Sequence, residues 1–485
     1  MNRTRNKGGL ETIKSVTLVV LFFTTILLLY FLWEDKPFQQ WARSDDLTRR
    51  EAPRYDEILQ PSQVVVCSGG GSYALAPDAF APLIDSLKAF AESESLIMEE
   101  IAERQYKEGL LYPSVEARFA YYVPFSAIRE VFQIQRITGS DNLDAFSALA
   151  YSEAYPDNFF IFDKSNNKYY RIAGDAGDAF PELSKSVADA GRRATHFTLE
   201  TNFGGQVDNQ TLIPYSPESD RYDFDCTGEL DTDEEERAAR ITRIAKSFFN
   251  DNFDFVRKIE ELNGTVIYMY GFGKIVLIID KDGAIEFKRE EEERAPAPTK
   301  YLDALGKALD FIAEHGAFET FSGISFSPRL KTVVVDPDGK RGYRFVFGIS
   351  VNDLEVFYQD SDAFTVEVVG NGVTYFKREL ICYDEEQIKD MAGDFREICS
   401  AMNALAHNLE YISAVLYSVN PAEIGSSNLT IEALAERVDW LDHAYIKLAD
   451  TGERNKTRAA WLLKIEQLEF YFGLDDGVPL GYSQK

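Results

Sequence analysis

The apolar stretch at residues 15–33 constrains this chain more than any other part of its sequence. It contains no charged residue, and as a helix it would span about 28 Å, close to the apolar core of a bilayer. Basic residues precede it and Glu34 and Asp35 follow it, so the positive-inside rule predicts a cytoplasmic N-terminus. We therefore predict a single-pass protein of the cell membrane whose bulk lies outside the cell.

A cleaved signal peptide is the alternative explanation of this stretch. The apolar region of a signal peptide is usually shorter and ends at a cleavage site of small residues. The stretch here is longer, and no Ala-x-Ala pattern follows it before Arg43. The sequence favours the uncleaved anchor.

The composition limits which partners and folds are plausible. A formal net charge of −29 argues against nucleic acid as a partner, because an acidic surface is repelled by phosphates. A hydrophobic content of 45%, with 13% aromatic residues, is enough for a packed core. Disulfides are permitted outside the cell, and the pairing of the four cysteines stays open: Cys67, Cys226, Cys382 and Cys399.

The sequence carries no motif that indicates catalysis or a cofactor. There is no Gly-x-Ser-x-Gly, His-Glu-x-x-His or Walker sequence, and no two of the four histidines have the spacing of metal ligands. The acidic segment 231–236 resembles part of a calcium loop, but an acidic helix start explains it better. We predict no catalytic, cofactor-binding or metal-binding residue, and no enzyme activity.

Hydrophobic periodicity predicts an α+β fold in which helices pack on antiparallel sheets. Helices are predicted over 78–108, 233–262, 300–315, 384–407 and 429–440, with hairpins at 63–75 and 158–172 and strand meanders at 265–288 and 331–378. A last hairpin pairs 443–449 with one strand over 458–472. The predicted domains are a cytoplasmic stub at 1–14, the transmembrane helix at 15–33, a juxtamembrane linker at 34–60, and three ectodomain units at 61–135, 136–294 and 299–485.

One stripe of the predicted transmembrane helix places small threonines among large apolar residues. Small polar residues let helices approach closely in lipid and share hydrogen bonds. We predict that this stripe contacts a partner helix through Thr17, Leu21, Thr24, Leu28 and Phe31.

Short motifs spread over most of the chain resemble the YycH family, also called WalH. They include residues 11–15, Pro61-Ser-Gln-Val-Val65, Tyr122-Val-Pro-Phe-Ser126, Phe248-Phe-Asn-Asp-Asn252, Tyr343-Arg-Phe-Val-Phe347 and Arg458-Ala-Ala-Trp461. The strands between 343 and 378 resemble the module that YycH shares with YycI. The resemblance implies that the last two ectodomain units are related to that module.

The resemblance also implies a function. YycH-like proteins are non-enzymatic regulators of the WalK/WalR (YycG/YycF) two-component system, so it implies a WalK-type sensor histidine kinase and a YycI-like protein as partners. The family has no catalytic residues to transfer to this chain. The residues themselves leave two other functions open: an ectodomain that senses an extracellular ligand, and an exported hydrolase of wall material.

Overall fold

The computed structural model describes residues 52–484 apart from 93–95, 141–142, 144, 175–179, 193–194, 216–217, 229, 291–299, 316–327, 340, 352–353, 380–381, 384–392, 421–428 and 449–455. The predicted cytoplasmic stub and transmembrane helix lie outside these residues. Within them, no helix is both long enough and apolar enough to cross a membrane.

The N-terminal part folds as a nine-stranded antiparallel sheet. Its strands are β1 Gln63–Cys67, β2 Tyr73–Leu75, β3 Ile97–Ile101, β4 Ser114–Arg118, β5 Ala148–Ser152, β6 Asn158–Asp163, β7 Lys168–Ala173, β8 His196–Thr198 and β9 Leu212–Pro214. They lie in the order β3-β7-β6-β5-β4-β1-β2-β8-β9. Both hairpins predicted in this region, β1–β2 and β6–β7, are confirmed.

Six helices accompany this sheet: α1 Tyr55–Ile58, α2 Phe80–Ala91, α3 Glu103–Leu110, α4 Phe125–Val131, α5 Pro181–Gly191 and α6 Leu199–Asn202. Helices α2 and α5 contact one another and belong to the main core through the buried side chains of Leu83, Leu87 and Leu183. Helix α3 contacts β4, β5 and β7, and its Tyr106 packs on Phe160 in a separate buried cluster.

The single helix predicted over 78–108 is wrong. The segment folds as α2, then strand β3, then α3. Strand β3 pairs with β7, and Glu99 and Glu100 form ion pairs with Arg171 and Lys168. Pairing with a strand that lies far along the chain therefore overrides a local pattern that suits a helix.

The rest of the chain forms mainly one long sheet of fifteen strands. The strands from residue 218 onward are β10 Glu218–Ser219, β11 Phe224–Thr227, β12 Arg257–Glu260, β13 Val266–Tyr270, β14 Ile275–Ile279, β15 Ile285–Arg289, β16 Arg329–Val335, β17 Gly342–Val351, β18 Leu354–Tyr358, β19 Phe364–Val369, β20 Gly372–Arg378, β21 Cys382–Tyr383, β22 Arg396–Glu397, β23 Trp440–Lys447, β24 Lys456–Ile465, β25 Leu468–Gly473 and β26 Pro479–Gln484. Strands β10 and β22 form a separate pair.

The long sheet joins the two predicted meanders edge to edge. Its order is β12-β13-β14-β15-β20-β19-β17-β18-β23-β24-β11-β21, with β16 beside β17 and with β25 and β26 continuing from β24. The meander strands are confirmed, and they meet through β15 and β20. The pairing is antiparallel, as predicted, except that β18 and β23 run parallel.

The described residues of this part form five further helices: α7 Glu234–Phe249, α8 Tyr301–Glu314, α9 Ala401–His407, α10 Leu409–Val419 and α11 Ile431–Ala435. Helix α8 confirms the helix predicted over 300–315, and it contacts β17, β19 and β20. Aromatic rings join this face of the sheet to α7 and α8, for example Phe248 to Phe287 at 5.2 Å and Phe311 to Phe376 at 5.4 Å between ring centroids.

Three predicted elements have different limits in the structure. The helix predicted over 233–262 ends at Phe249, since Asn250 has a φ of 45°. A 3-10 helix at Asn250–Phe255 follows it and leads into β12. The strand predicted over 458–472 is two strands, because Glu466 has a φ of 56° in the turn between β24 and β25. Helix α9 begins only after Ser400, whose side chain accepts a hydrogen bond from the amide of Asn403.

Candidate functional site

The partner-helix residues predicted from the sequence lie outside the described residues. These are Thr17, Leu21, Thr24, Leu28 and Phe31, and their contact stays a prediction. The described part of the chain offers a different candidate, a cleft of about 2510 Å³ that is lined by both sheets. Tyr121 and Phe146 line it from the N-terminal part, and strands β14 to β20 and β23 to β26 line it from the long sheet.

A row of directly opposed residues from six strands lines the cleft. Opposed residues of antiparallel strands share a face of the sheet. The row consists of Val276, Lys288, Tyr375, Glu367, Arg344 and Val334. One position away on each strand, the alternate row is buried in the core: Leu277, Phe287, Phe376, Val366, Phe345 and Val333. The alternation of polar and apolar residues thus makes one face core and the other face cleft.

An aromatic ring between two lysines is the most distinctive feature of the cleft. The Nζ atoms of Lys331 and Lys464 lie 3.9 Å and 4.8 Å from the ring centroid of Phe357. Each lysine also has a carboxylate partner, Glu355 at 3.0 Å from Lys331 and Glu469 at 2.7 Å from Lys464. The positive charges of this cluster are therefore already balanced within the protein.

Local backbone features bring Lys331 to the ring. The register of β16 against β17 shifts between Leu330 and Thr332, which is a bulge that redirects the side chain. Gly348 lies beneath that side chain, and a Cβ atom there would be 2.8 Å from Cδ of Lys331. Burial lowers the pKa of Lys331, but Glu355 and nearby acids outweigh burial and raise the pKa overall, so the ammonium stays charged.

Asp442 on β23 is a carboxyl of the cleft with no cation in ion-pair contact among the described residues. Burial raises its pKa to about 6. The backbone amide of His443 donates to its Oδ1 at 2.7 Å and opposes this shift in part. Asp442 is half-buried, and a carboxylate that is partly removed from water without a cationic partner is costly, so this position favours either protonation or a cationic ligand.

Two histidines line the cleft near Asp442. Burial lowers the pKa of both His443 and His196 to about 4, and Arg221 and His196 add to the shift of His443. The ring of His443 lies 4.4 Å from that of Trp461, and its Nε2 has no hydrogen-bond partner among the described residues. Both imidazoles are therefore neutral near pH 7.

The chemistry of this cleft suits binding. The described residues contain no group of three His, Cys, Asp or Glu side chains placed to hold a metal ion. Paired charges, an aromatic ring and a carboxyl with no cation in contact among the described residues match a polar ligand that carries a cationic group. Sequence reasoning missed Asp442 as a site residue, although a carboxyl beside an imidazole in an otherwise apolar strand is a signal that could have identified it.

Comparison with known proteins identifies the N-terminal part of the chain. The family described as "YycH protein, N-terminal domain" matches residues 11–147. The crystal structure of YycH from Bacillus subtilis has a similar fold, with a TM-score of 0.53 and 10% sequence identity, over 89% of this chain and 98% of that one. The match places residues 11–147 of this chain in the YycH N-terminal domain family, and the structural similarity shows a YycH-like fold.

Two further solved structures show weaker similarity to this chain. An uncharacterised protein from Eubacterium rectale has a TM-score of 0.32 and 11% identity, over 55% of this chain and 83% of that chain. The YpeB C-terminal domain of Bacillus megaterium has a TM-score of 0.26 and 12% identity, over 52% of this chain and 97% of that chain. None of the curated proteins matches this chain.

Proposed function

We propose that this chain is a membrane-anchored regulator of a WalK-type sensor histidine kinase, acting outside the cell together with a YycI-like protein. The observation that carries the proposal is the family match over residues 11–147, which includes the apolar stretch 15–33. The similarity of fold to Bacillus subtilis YycH over most of the chain supports the same assignment. The role is binding and regulation, without catalysis.

Regulation by binding requires that the kinase has two states and that this protein binds them unequally. A tenfold shift in the kinase equilibrium needs a difference in binding free energy of about 1.4 kcal/mol. A few contacts between transmembrane helices can supply a difference of that size. We therefore place the differential contacts on the stripe that contains Thr17 and Thr24.

Crosslinking and pull-down from the native membrane test this proposal. The full-length protein is compared with a variant in which residues 15–33 are replaced by a neutral spanning helix of leucine and alanine. We expect the native chain to recover a histidine kinase and a YycI-like protein, and the variant to recover neither. Failure of the native chain to recover any kinase would contradict the proposal.

Replacing Thr17 and Thr24 together with leucine should weaken association with the partner helices. Leucine removes the hydroxyl groups and prevents close approach, so we expect the crosslinked yield to fall roughly tenfold. Thr25→Leu is the matched control, because position 25 lies off the stripe. An unchanged yield in the double variant would move the contact out of the bilayer.

The cleft favours a second candidate function, an ectodomain that binds an extracellular ligand. Asp442 supports it, because a half-buried carboxyl with no cation in contact among the described residues suits an ammonium group. Calorimetric titration of the full-length protein with short peptides tests it, comparing free with acetylated amino termini. Binding of the free form, lost in Asp442→Asn, would support this function, and the absence of heat with any peptide would count against it.

A further inference from the structure

Strand β12 lies at the end of the long sheet and pairs only with β13 among the described residues. Its side chains are unusually open to solvent: Phe255, just before the strand, is 77% exposed, and Leu262, just after it, is fully exposed. An edge strand presents a row of free backbone N–H and C=O groups that can accept another strand. This edge is therefore a surface on which a strand could dock.

The sequence around β12 is complementary to itself when it is read in the opposite direction. Residues 256–262 read Val-Arg-Lys-Ile-Glu-Glu-Leu. Two cations precede Ile259, two anions follow it, and an apolar residue stands at each end. We propose that β12 pairs antiparallel with β12 of a second copy of this chain, about a two-fold axis at Ile259.

The proposed register follows from the geometry of sheets. A two-fold axis that relates two antiparallel strands of one sheet is perpendicular to the sheet, so opposed residues must belong to the same face. With Ile259 opposite its own copy, Lys258 faces Glu260 of the second copy, and Arg257 faces Glu261 of the second copy. Val256 then lies opposite Leu262 of the second copy and covers it. The register contains no pair of like charges.

Charge on an edge strand usually protects a protein from this kind of pairing. That protection depends on like charges, since a uniformly charged strand repels its copy. In β12 the cations precede Ile259 and the anions follow it, so two antiparallel copies of the strand attract each other instead of repelling each other. Lys258 and Glu260 form an ion pair within the strand, and both are exposed, so both can exchange this contact for one with the second copy.

A cysteine at the axis tests the register directly. In Ile259→Cys the two introduced thiols would face each other at a distance that suits a disulfide. We expect the full-length protein, oxidised in its own membrane, to form a covalent dimer. Leu111→Cys, at an exposed position distant in sequence from this edge, and the unaltered chain with its own cysteines are the controls, and neither should form it. Equal crosslinking in all three would overturn the proposal.

Charge-reversal variants distinguish a second copy of this chain from any other molecule bound at the edge of β12. In the Ile259→Cys background, Lys258→Glu alone or Glu260→Lys alone places like charges opposite each other, and we expect the dimer yield to fall roughly tenfold. The double variant, and a mixture of the two single variants, restore opposite charges and should restore the yield. Loss without rescue, in variants whose thermal unfolding is unchanged, would show that a different molecule occupies this edge.

Discussion

At the scale of single residues, the half-buried carboxyl of Asp442 has the clearest energetic consequence. Its pKa is about 6 in the folded protein and lower in the unfolded chain, so the folded state binds the proton more tightly. Near pH 7 the group is ionised in both states, and the folded state bears the cost of a charge that is partly removed from water. The contribution of Asp442 to stability is therefore unfavourable at neutral pH and disappears as the pH falls below about 4.

Asp442→Asn should stabilise the protein at neutral pH. Asparagine keeps the acceptor for the amide of His443 and removes the buried charge, so we expect the free energy of unfolding to rise by about 1–3 kcal/mol near pH 7. Near pH 4 the gain should be lost. Thermal unfolding of the full-length protein and of the variant at pH 7 and pH 4 measures this change in stability.

Asp439→Asn is the matched control for this effect. Asp439 is exposed and accepts a hydrogen bond from the amide of Glu466 at 2.8 Å, which asparagine can also accept. We expect little change at either pH. A gain of equal size in both variants would show that the burial of Asp442 is not its cause.

At the scale of elements, the turns show where backbone conformation conflicts with residue type. The turn between β13 and β14 consists of Gly271, Phe272 and Gly273, and all three have positive φ angles. Glycine accepts that region freely, whereas phenylalanine does not. Phe272 is also fully exposed, so packing within the described part of the chain does not offset the backbone strain.

Phe272→Asn should relieve this strain. Asparagine tolerates the left-handed region, and we expect the free energy of unfolding to rise by about 0.5–1 kcal/mol. Phe395→Asn is the control, because Phe395 is exposed and has no positive φ angle. If Phe272→Asn destabilised the protein instead, Phe272 would have a contact that balances its strain. Thermal unfolding midpoints provide the comparison.

At the scale of the whole molecule, polar contacts join the part of the chain that carries the nine-stranded sheet to the part that carries the long sheet. Nδ2 of Asn209 donates to the carbonyl oxygens of Ala435 and Val438 at 2.7 Å and 2.8 Å. At a second contact, the hydroxyl of Tyr55 donates to the carbonyl of Leu302 at 3.1 Å. In each contact the acceptor is a backbone carbonyl oxygen. The hydrogen bond therefore forms only when the backbones of two segments that are distant in the sequence lie close together.

Asn209→Ala should loosen the first of these contacts. Two hydrogen bonds to partly buried carbonyl groups would be lost, although the carbonyl of Val438 keeps a bond from the hydroxyl of Thr211 at 2.8 Å. We therefore expect the free energy of unfolding to fall by about 1–3 kcal/mol. Asn371→Ala is the control, since Asn371 accepts a hydrogen bond from Lys307 in an exposed position. Hydrogen exchange should rise in β9 and β23. Unchanged exchange there would contradict a role for Asn209 in joining the sheets.

The sequence by itself determined the parts of the fold that local patterns specify. Apolar segments separated by Asp-Gly turns at 281–283 and 336–339 predicted the meander strands. The helical spacing of Leu302, Leu305 and Leu309 predicted α8, whose buried stripe includes Leu305 and Leu309. The short motifs also indicated the YycH family, which the match over residues 11–147 confirms.

Only the tertiary structure decided where the longer predicted helices end. Strands β3 and β12 have sequences that also suit a helix, and they become strands through pairing with β7 and β13. The cleft has the same origin, since its residues come from segments far apart in the chain. Whether Asp442 is buried, and whether a cation reaches it, depends on packing between those segments, and no local pattern records such packing.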